Sequence, residues 1–348
     1  PDLTRSLLDT DEEKADIPGG PIQNDATGVE VYSSIFALEE SPHNEGEIWV
    51  GSDDGLIHIT RDGGKTWQNI TPKKIIPYQG TINKIELSSH SPGRAIVAVY
   101  NYRNSDPKPY IIMTDNYGEN WKLLTNSNGI PSDHFVRAVA EDPARKGLIY
   151  AGTEFGAYVS FNNGESWNSL QLNLPHVPIT DMVVTQNDLA ISTQGRGFWL
   201  LDKINVLQEI NDVLLNSSNV HIFKPETALR TTLGGGWRSG GVSFENDISF
   251  YLPRDIPIDD VDMFIKDNDG NIIINFKEDT EYLYDVNYDT NTLYSGVHTV
   301  YWDLAHKPPK IQSDFVSMYY SARGGYGPDA LPGEYTIEIT TPNQKALT

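Results

Sequence analysis

Thr60-Arg61-Asp62-Gly63-Gly64-Lys65-Thr66-Trp67 returns as Thr114-Asp115-Asn116-Tyr117-Gly118-Glu119-Asn120-Trp121 and again as Ser160-Phe161-Asn162-Asn163-Gly164-Glu165-Ser166-Trp167. All three read Ser/Thr, any, Asp/Asn, any, Gly, any, any, Trp, and their tryptophans stand 54 and 46 positions apart. Self-similarity at that period is the signature of β-propeller blades, each a four-stranded sheet. Every fixed residue has a job in folding. The hydroxyl and the Asp or Asn side chain bond the backbone of their own turn, and the Gly takes a positive φ without steric cost. The Trp places a large apolar ring between neighbouring sheets.

Four-strand units surround these turns. In the first, Glu30 to Leu38 reads as the inner strand, Ser41-Pro42-His43-Asn44-Glu45-Gly46 as a turn, then Ile48 to Gly51, Leu56 to Thr60 and Trp67 to Thr71 as the remaining strands. The second repeats this with Ile82 to Leu87, Ala95 to Val99, Tyr110 to Thr114 and Trp121 to Leu124. The third has Phe135 to Ala140, Leu148 to Gly152, Ala157 to Ser160 and Trp167 onward. A fourth, from Ile179 to Leu201, lacks the repeated turn. Only about four blades are visible over residues 1–203, where a closed propeller takes about four to eight. Pro1-Asp2-Leu3-Thr4 reads like the exit of an outer strand, comparable with Leu172-Asn173-Leu174-Pro175. The expectation is therefore an incomplete ring, finished by an N-terminal portion of the same protein or by another chain. A complete four-bladed ring is the alternative.

Beyond Asp202 the pattern changes. Val206, Leu207, Ile210, Val213 and Leu214 recur at helical spacing, which predicts a linker helix within 204–219. From 220 to 348 short strands return without the repeat: His221 to Phe223, Val242 to Leu252, Val261 to Ile265, Ile272 to Phe276, Gly296 to Trp302 and Gly333 to Ile339. Gly234-Gly235-Gly236 and Arg323 to Pro328 connect them. This predicts an immunoglobulin- or fibronectin-like β-sandwich, so the fold class is all-β, propeller blades followed by a sandwich.

Composition narrows the partners. A formal charge of −22 on 348 residues argues against nucleic acid, whose phosphates this surface would repel, and equally against anionic lipid. Cysteine is absent, which excludes disulfides and thiol chemistry. No run is long and apolar enough to insert in a membrane. No metal or cofactor pattern stands out. Asp267, Asp269, Asn271 and Glu278 fall at EF-hand positions, but Ile272 stands where that loop needs Gly, and a hairpin turn at Asp269-Gly270 explains them better. His43 and His90 read as surface residues beside Pro42 and Pro92.

The repeated turn resembles the Asp box, or BNR repeat, of sialidases, sortilin-type receptors and tandem-propeller xyloglucanases, with Asn116 and Asn162 replacing Asp in two copies. Gly51-Ser52-Asp53-Asp54-Gly55-Leu56, Gly147 to Gly156, Leu172-Asn173-Leu174-Pro175 and Gly195 to Asp202 extend the likeness to exported bacterial sortilin-like or BNR-repeat glycosyl-hydrolase-like proteins. That resemblance implies propeller blades ahead of a small sandwich, and a secreted or periplasmic location.

In a propeller the turn between the second and third strands of each blade faces the channel mouth. Those turns would gather Asp53, Asp54, Glu154, Tyr102, Arg103, Phe155, Gln194 and Arg196 on one rim. Asp53, Asp54 and Glu154 are the candidate acids for glycoside hydrolysis. Tyr102, Arg103, Phe155, Gln194 and Arg196 are candidates for ligand binding, the aromatic rings by stacking on sugars. Sialidase chemistry needs more arginines than this rim offers. Asp and Gly are also ordinary turn formers. Two functions stay open: a binding or scaffold protein that grips a glycan or protein segment, and a tandem-propeller glycoside hydrolase.

Overall fold

The computed structural model describes residues 3, 34–228, 246–277, 291–307, 328–342 and 344–348. Readings that fall at Pro1, Asp2, Thr4, Glu30, Gly234 to Gly236, Val242, Glu278 and Arg323 to Gly327 lie outside the described residues. The chain divides into two compact units, Pro1–Gln208 and Glu209–Thr348.

Among the described residues the first unit holds four antiparallel sheets in chain order. Sheet one is β1 (Ile35–Glu40), β2 (Ile48–Ser52), β3 (Ile57–Thr60) and β4 (Gln68–Asn69). Sheet two is β5 (Thr81–Leu87), β6 (Ala95–Asn101), β7 (Asp106–Thr114) and β8 (Lys122–Leu123). Sheet three is β9 (Val136–Glu141), β10 (Ile149–Thr153), β11 (Gly156–Ser160) and β12 (Asn168–Ser169). Sheet four has three described strands, β13 (Ile179–Val184), β14 (Leu189–Thr193) and β15 (Phe198–Leu201). Each pairs strand to strand in sequence order, as propeller blades do.

The sheets are arranged radially. Lys84 on β5 reaches Glu39 on β1 at 3.9 Å and Asp181 on β13 at 3.2 Å, so first strands from sheets one, two and four converge on a common axis. Three apolar clusters fill the gaps between consecutive sheets. Each gap closes by one device. An aliphatic pair on the first strand of the following sheet, flanking a β-bulge, enters the second strand of the preceding sheet where the residue is small. Ile82 and Ile85 meet Gly51, Val136 and Val139 meet Ala98, and Ile179 and Met182 meet Gly152. A Cβ on Gly51 would sit 2.3 Å from Ile82 Cγ2, and one on Gly152 2.5 Å from Ile179 Cγ2. Glycine is required there by close approach, not by backbone angle.

The repeated turns form as the residues dictate. Thr60, Thr114 and Ser160 each accept the N–H of the glycine four residues on, Gly64, Gly118 and Gly164, at 2.8–3.0 Å. Asp62, Asn116 and Asn162 each accept the N–H four residues on, at 2.9 Å. Asn therefore replaces Asp without loss of the turn bond. Bonds from the Thr66 hydroxyl and amide hold the Asp62 carboxyl down to about 2. The residue before each glycine is also left-handed, including Tyr117 at φ 58° and Asn163 at 62°. Its N–H is fixed by a carbonyl of the neighbouring turn, Gly46, Gly93 or Gly147.

Two latches between sheets were not legible as such. Trp121 Nε1 donates to Ile70 O and Trp167 Nε1 to Leu124 O, both at 3.0 Å, each tying a turn to the outer-strand exit of the sheet before it. His43 Nε2 lies 3.0 Å from Ser88 O and His90 Nε2 2.7 Å from Asp142 O. These histidines, read from sequence as plain surface residues, staple one sheet to the next.

The linker region carries two short helices, Asn205–Glu209 and Asp212–Leu215, where one helix was expected. The second unit contains β16 (His221–Ile222), β17 (Asn246–Leu252), β18 (Ile256–Pro257), β19 (Asp262–Lys266), β20 (Ile272–Asn275), β21 (Thr292–Leu293), β22 (Gly296–Trp302), β23 (Thr336–Thr341) and β24 (Gln344–Leu347). Sheets β16-β17-β22 and β20-β19-β23-β24 enclose one core built on Phe250, Val300, Ile265 and Ile339, a β-sandwich. The Asp267–Asn271 segment is the β19–β20 turn, with Asp267 accepting the amides of Asp269 and Asn271. It is a hairpin turn flanked by strands, not the helix-flanked loop of an EF-hand. Among the described residues no group of three or more His, Asp or Glu side chains could hold a metal ion. No described helix is long and apolar enough to cross a membrane.

Candidate functional site

The turns joining second to third strands lie at the end of the sheets opposite the repeated turns, next to the starts of the first strands. Antiparallel pairing puts them there: the end of β10 at Thr153 is paired with Val136 at the start of β9. Asp53, Glu154 and Gln194 make the same bond in three sheets, donating N–H to Ser34 O, Phe135 O and Pro178 O. These turns therefore share one edge of the sheets.

Its centre is aromatic and cationic. Tyr102 stacks on Phe135 with centroids 4.5 Å apart and an interplanar angle of 20°, and Tyr100 packs against both at 5.1 and 6.2 Å. The Arg137 guanidinium lies 5.0 Å from the Phe135 ring centre and 5.7 Å from that of Tyr102. Arg137 Nε donates to Glu154 Oε2 at 2.7 Å. Arg103 sits over Tyr100 at 5.8 Å, where burial alone would lower its pKa but the neighbouring tyrosine and Asp53 raise it. Burial raises the Tyr100 phenol. The whole group is held by β6, the tight turn Tyr102–Asn104 with left-handed Ser105, and β9.

A second patch adjoins it. Phe155, 43% exposed, packs on His134 at 4.6 Å, and Tyr158 Oη lies 2.9 Å from His134 Nδ1. Burial lowers the His134 pKa, which keeps the ring neutral near pH 7 and its Nδ1 able to accept from the Tyr158 hydroxyl. His176 Nδ1 lies 3.2 Å from Phe155 O.

The sequence candidates fall into three groups. Tyr102, Arg103, Phe155 and Glu154 belong to this cluster. Asp53 and Asp54 are buried inside the β2–β3 turn: Asp53 accepts the Ser34 N–H at 2.8 Å, and Asp54 accepts the Ser52 hydroxyl. Their carboxylates shape the turn. Gln194 and Arg196 stand exposed on the β14–β15 hairpin, where Arg196 O accepts Trp199 Nε1 at 3.1 Å. Sequence reading missed Phe135, Arg137 and His134, because they precede or begin an inner strand. The signal was available in the strand register.

The chain is similar to a xyloglucanase. The oligoxyloglucan-reducing end-specific xyloglucanase of Emericella nidulans is 27% identical over 126 residues, 36% of this chain and 15% of the relative. The chain therefore matches well under a fifth of that protein's length. No family model matches. Among solved structures, an ancestral GH74 enzyme overlays with a TM-score of 0.41 at 16% identity, over 91% of this chain and 39% of the other. A YCF48 protein bound to a D1 peptide overlays at 0.37 and 16%, over 49% of this chain and 52% of the other.

Proposed function

We propose that the first unit binds a neutral β-linked oligosaccharide at this rim, with Tyr102 and Phe155 as stacking surfaces and Arg103 and Arg137 as hydrogen-bond donors. The carrying observation is the Tyr100, Tyr102, Phe135 and Arg137 cluster beside the exposed Phe155 ring. Sugar rings present apolar C–H faces and hydroxyl edges, which an aromatic face ringed by polar donors matches. Polymeric glycans of this kind lie outside the cytoplasm, so the reading carries a secreted or periplasmic location with it.

The state of the carboxylates supports binding over turnover. Hydrolysis needs one protonated and one ionised carboxyl flanking the bond. Asp54 is fully buried and Glu154 is held by Arg137. Hydrolysis is the second reading, and what favours it is the similarity to a xyloglucanase.

Calorimetric titration with xyloglucan heptasaccharide tests both. Binding is expected, weakened about five- to tenfold by Phe155→Ala or Tyr102→Ala, the worth of one stacking contact. Absence of binding by the wild-type chain defeats the proposal. Release of new reducing ends, abolished by Glu154→Gln while binding persists, establishes the second reading instead.

A further inference from the structure

Sheet one carries the full set of devices by which sheets two and three grip the sheet before them, and among the described residues all of them are idle. The register aligns Ile35 and Leu38 on β1 with Ile82 and Ile85, Val136 and Val139, and Ile179 and Met182. Those three later pairs are at most 2% exposed, whereas Ile35 is 49% and Leu38 60% exposed. Trp121 and Trp167 donate their indole N–H across to Ile70 O and Leu124 O. Trp67 instead folds its N–H onto its own turn, to Gly64 O at 3.1 Å. The turn glycines tell the same story. A Cβ on Gly118 would meet Ile70 at 2.7 Å and one on Gly164 would meet Leu124 at 2.7 Å, but one on Gly64 meets nothing nearer than Trp67 Nε1 at 3.8 Å.

We propose that the outward face of sheet one docks a further blade that belongs neither to the described sheets nor to a second copy of this chain. Its chemistry is specified by the three idle devices. It is a complete four-stranded antiparallel sheet with Gly or Ala on its second strand to receive Ile35 and Leu38. Its outer strand ends in an aliphatic residue, whose side chain covers Gly64 and whose carbonyl accepts Trp67 Nε1. Sheet four of a second copy does not qualify. It presents Ser192 where the other sheets have Gly51, Ala98 and Gly152, and its three described strands include no outer-strand exit equivalent to Ile70 or Leu124. Sheet two has the required residues, Ala98 and Leu124, but in this chain and in any second copy they are already covered by Val136, Val139 and Trp167 of sheet three.

The test reads indole N–H exchange by NMR, with Trp121 and Trp167 as controls in the same sample. In the 348-residue chain Trp67 is expected to exchange at least about tenfold faster than both controls, and the chain is expected to sediment as a monomer. A chain in which a copy of residues 75–133 is joined directly ahead of Ser34 is then expected to slow Trp67 to the level of the controls. Leu38→Asp in that extended chain restores fast exchange, and the same substitution in the unextended chain changes neither control. Three results overturn the proposal. Slow Trp67 exchange in the unextended monomer means that the chain covers its own face. A dimer abolished by Leu38→Asp means that a second copy does. Fast Trp67 exchange in the extended chain means that the face does not receive a blade.

Discussion

Glu86 and Arg94 show how single residues on inner strands and turns carry the polar side of this fold. Burial pushes the Glu86 carboxyl up to about 7, opposed by the Glu141 amide and by Lys84, with Glu39 and Glu141 adding to the rise. A carboxyl whose folded pKa lies above its ordinary 4.5 binds more protons folded than unfolded. Its charge therefore costs nothing below about pH 4.5, and stability is lost as pH rises through about 7. Glu86→Gln is expected to stabilise the chain by about 1–3 kcal/mol at pH 8 and to have no effect at pH 4, measured by urea unfolding at both values. Arg94 is 2% exposed and bonds Glu141 Oε1 at 2.7 Å, Asp115 Oδ1 at 2.6 Å and Asn163 Oδ1 at 2.6 Å. It thus ties two repeated turns to β9. Burial works against both charges, but the mutual hydrogen bonds win, raising the Arg94 pKa and lowering that of Glu141. Arg94→Met alone strands a buried carboxylate and should cost about 3–5 kcal/mol; adding Glu141→Leu should recover much of the loss in the same unfolding assay.

At the scale of the element, the repeat is a device for stacking sheets, and its tolerance is set by the small residue on each second strand. Gly152→Ala places a methyl against Ile179 and Met182, so destabilisation of about 1–3 kcal/mol is expected in urea unfolding. A comparable loss for Gly333→Ala would count against the packing account, because nothing lies nearer than 3.9 Å to a Cβ there and its backbone is not left-handed. The repeated turns, their spacing and the strand order within each sheet were all readable from residue types, since the hydroxyl and Asx side chains accept amides within four positions and the Gly acts through its own φ. The latches were not. His43 and His90 find carbonyls 45 and 52 residues away, and no local pattern marks a histidine that will do so.

At the scale of the molecule, a formal charge of −22 means that like charges repel throughout the compact state. Raising NaCl from about 10 to about 150 mM is expected to raise the melting temperature by screening that repulsion, and a fall would show that exposed ion pairs such as Lys277–Asp262 dominate instead. The radial arrangement also decides what the rim can do. Sequence placed Asp53, Asp54, Glu154, Tyr102, Arg103 and Phe155 on one edge, and strand pairing alone justified that. Which of them face solvent depended on packing: Asp53 and Asp54 turned inward to hold a loop, while Phe135, Arg137 and His134 joined the edge from the strand beside it.

The sequence by itself determined the blades, because in each repeated turn the hydroxyl and the Asx side chain accept amides from within the same eight residues. Tertiary structure alone decided which carboxylates are buried, which histidines bridge sheets and which aliphatic pair is left facing outward. Those outcomes depend on what a neighbouring sheet presents across the gap, and that neighbour lies some 50 residues away along the chain.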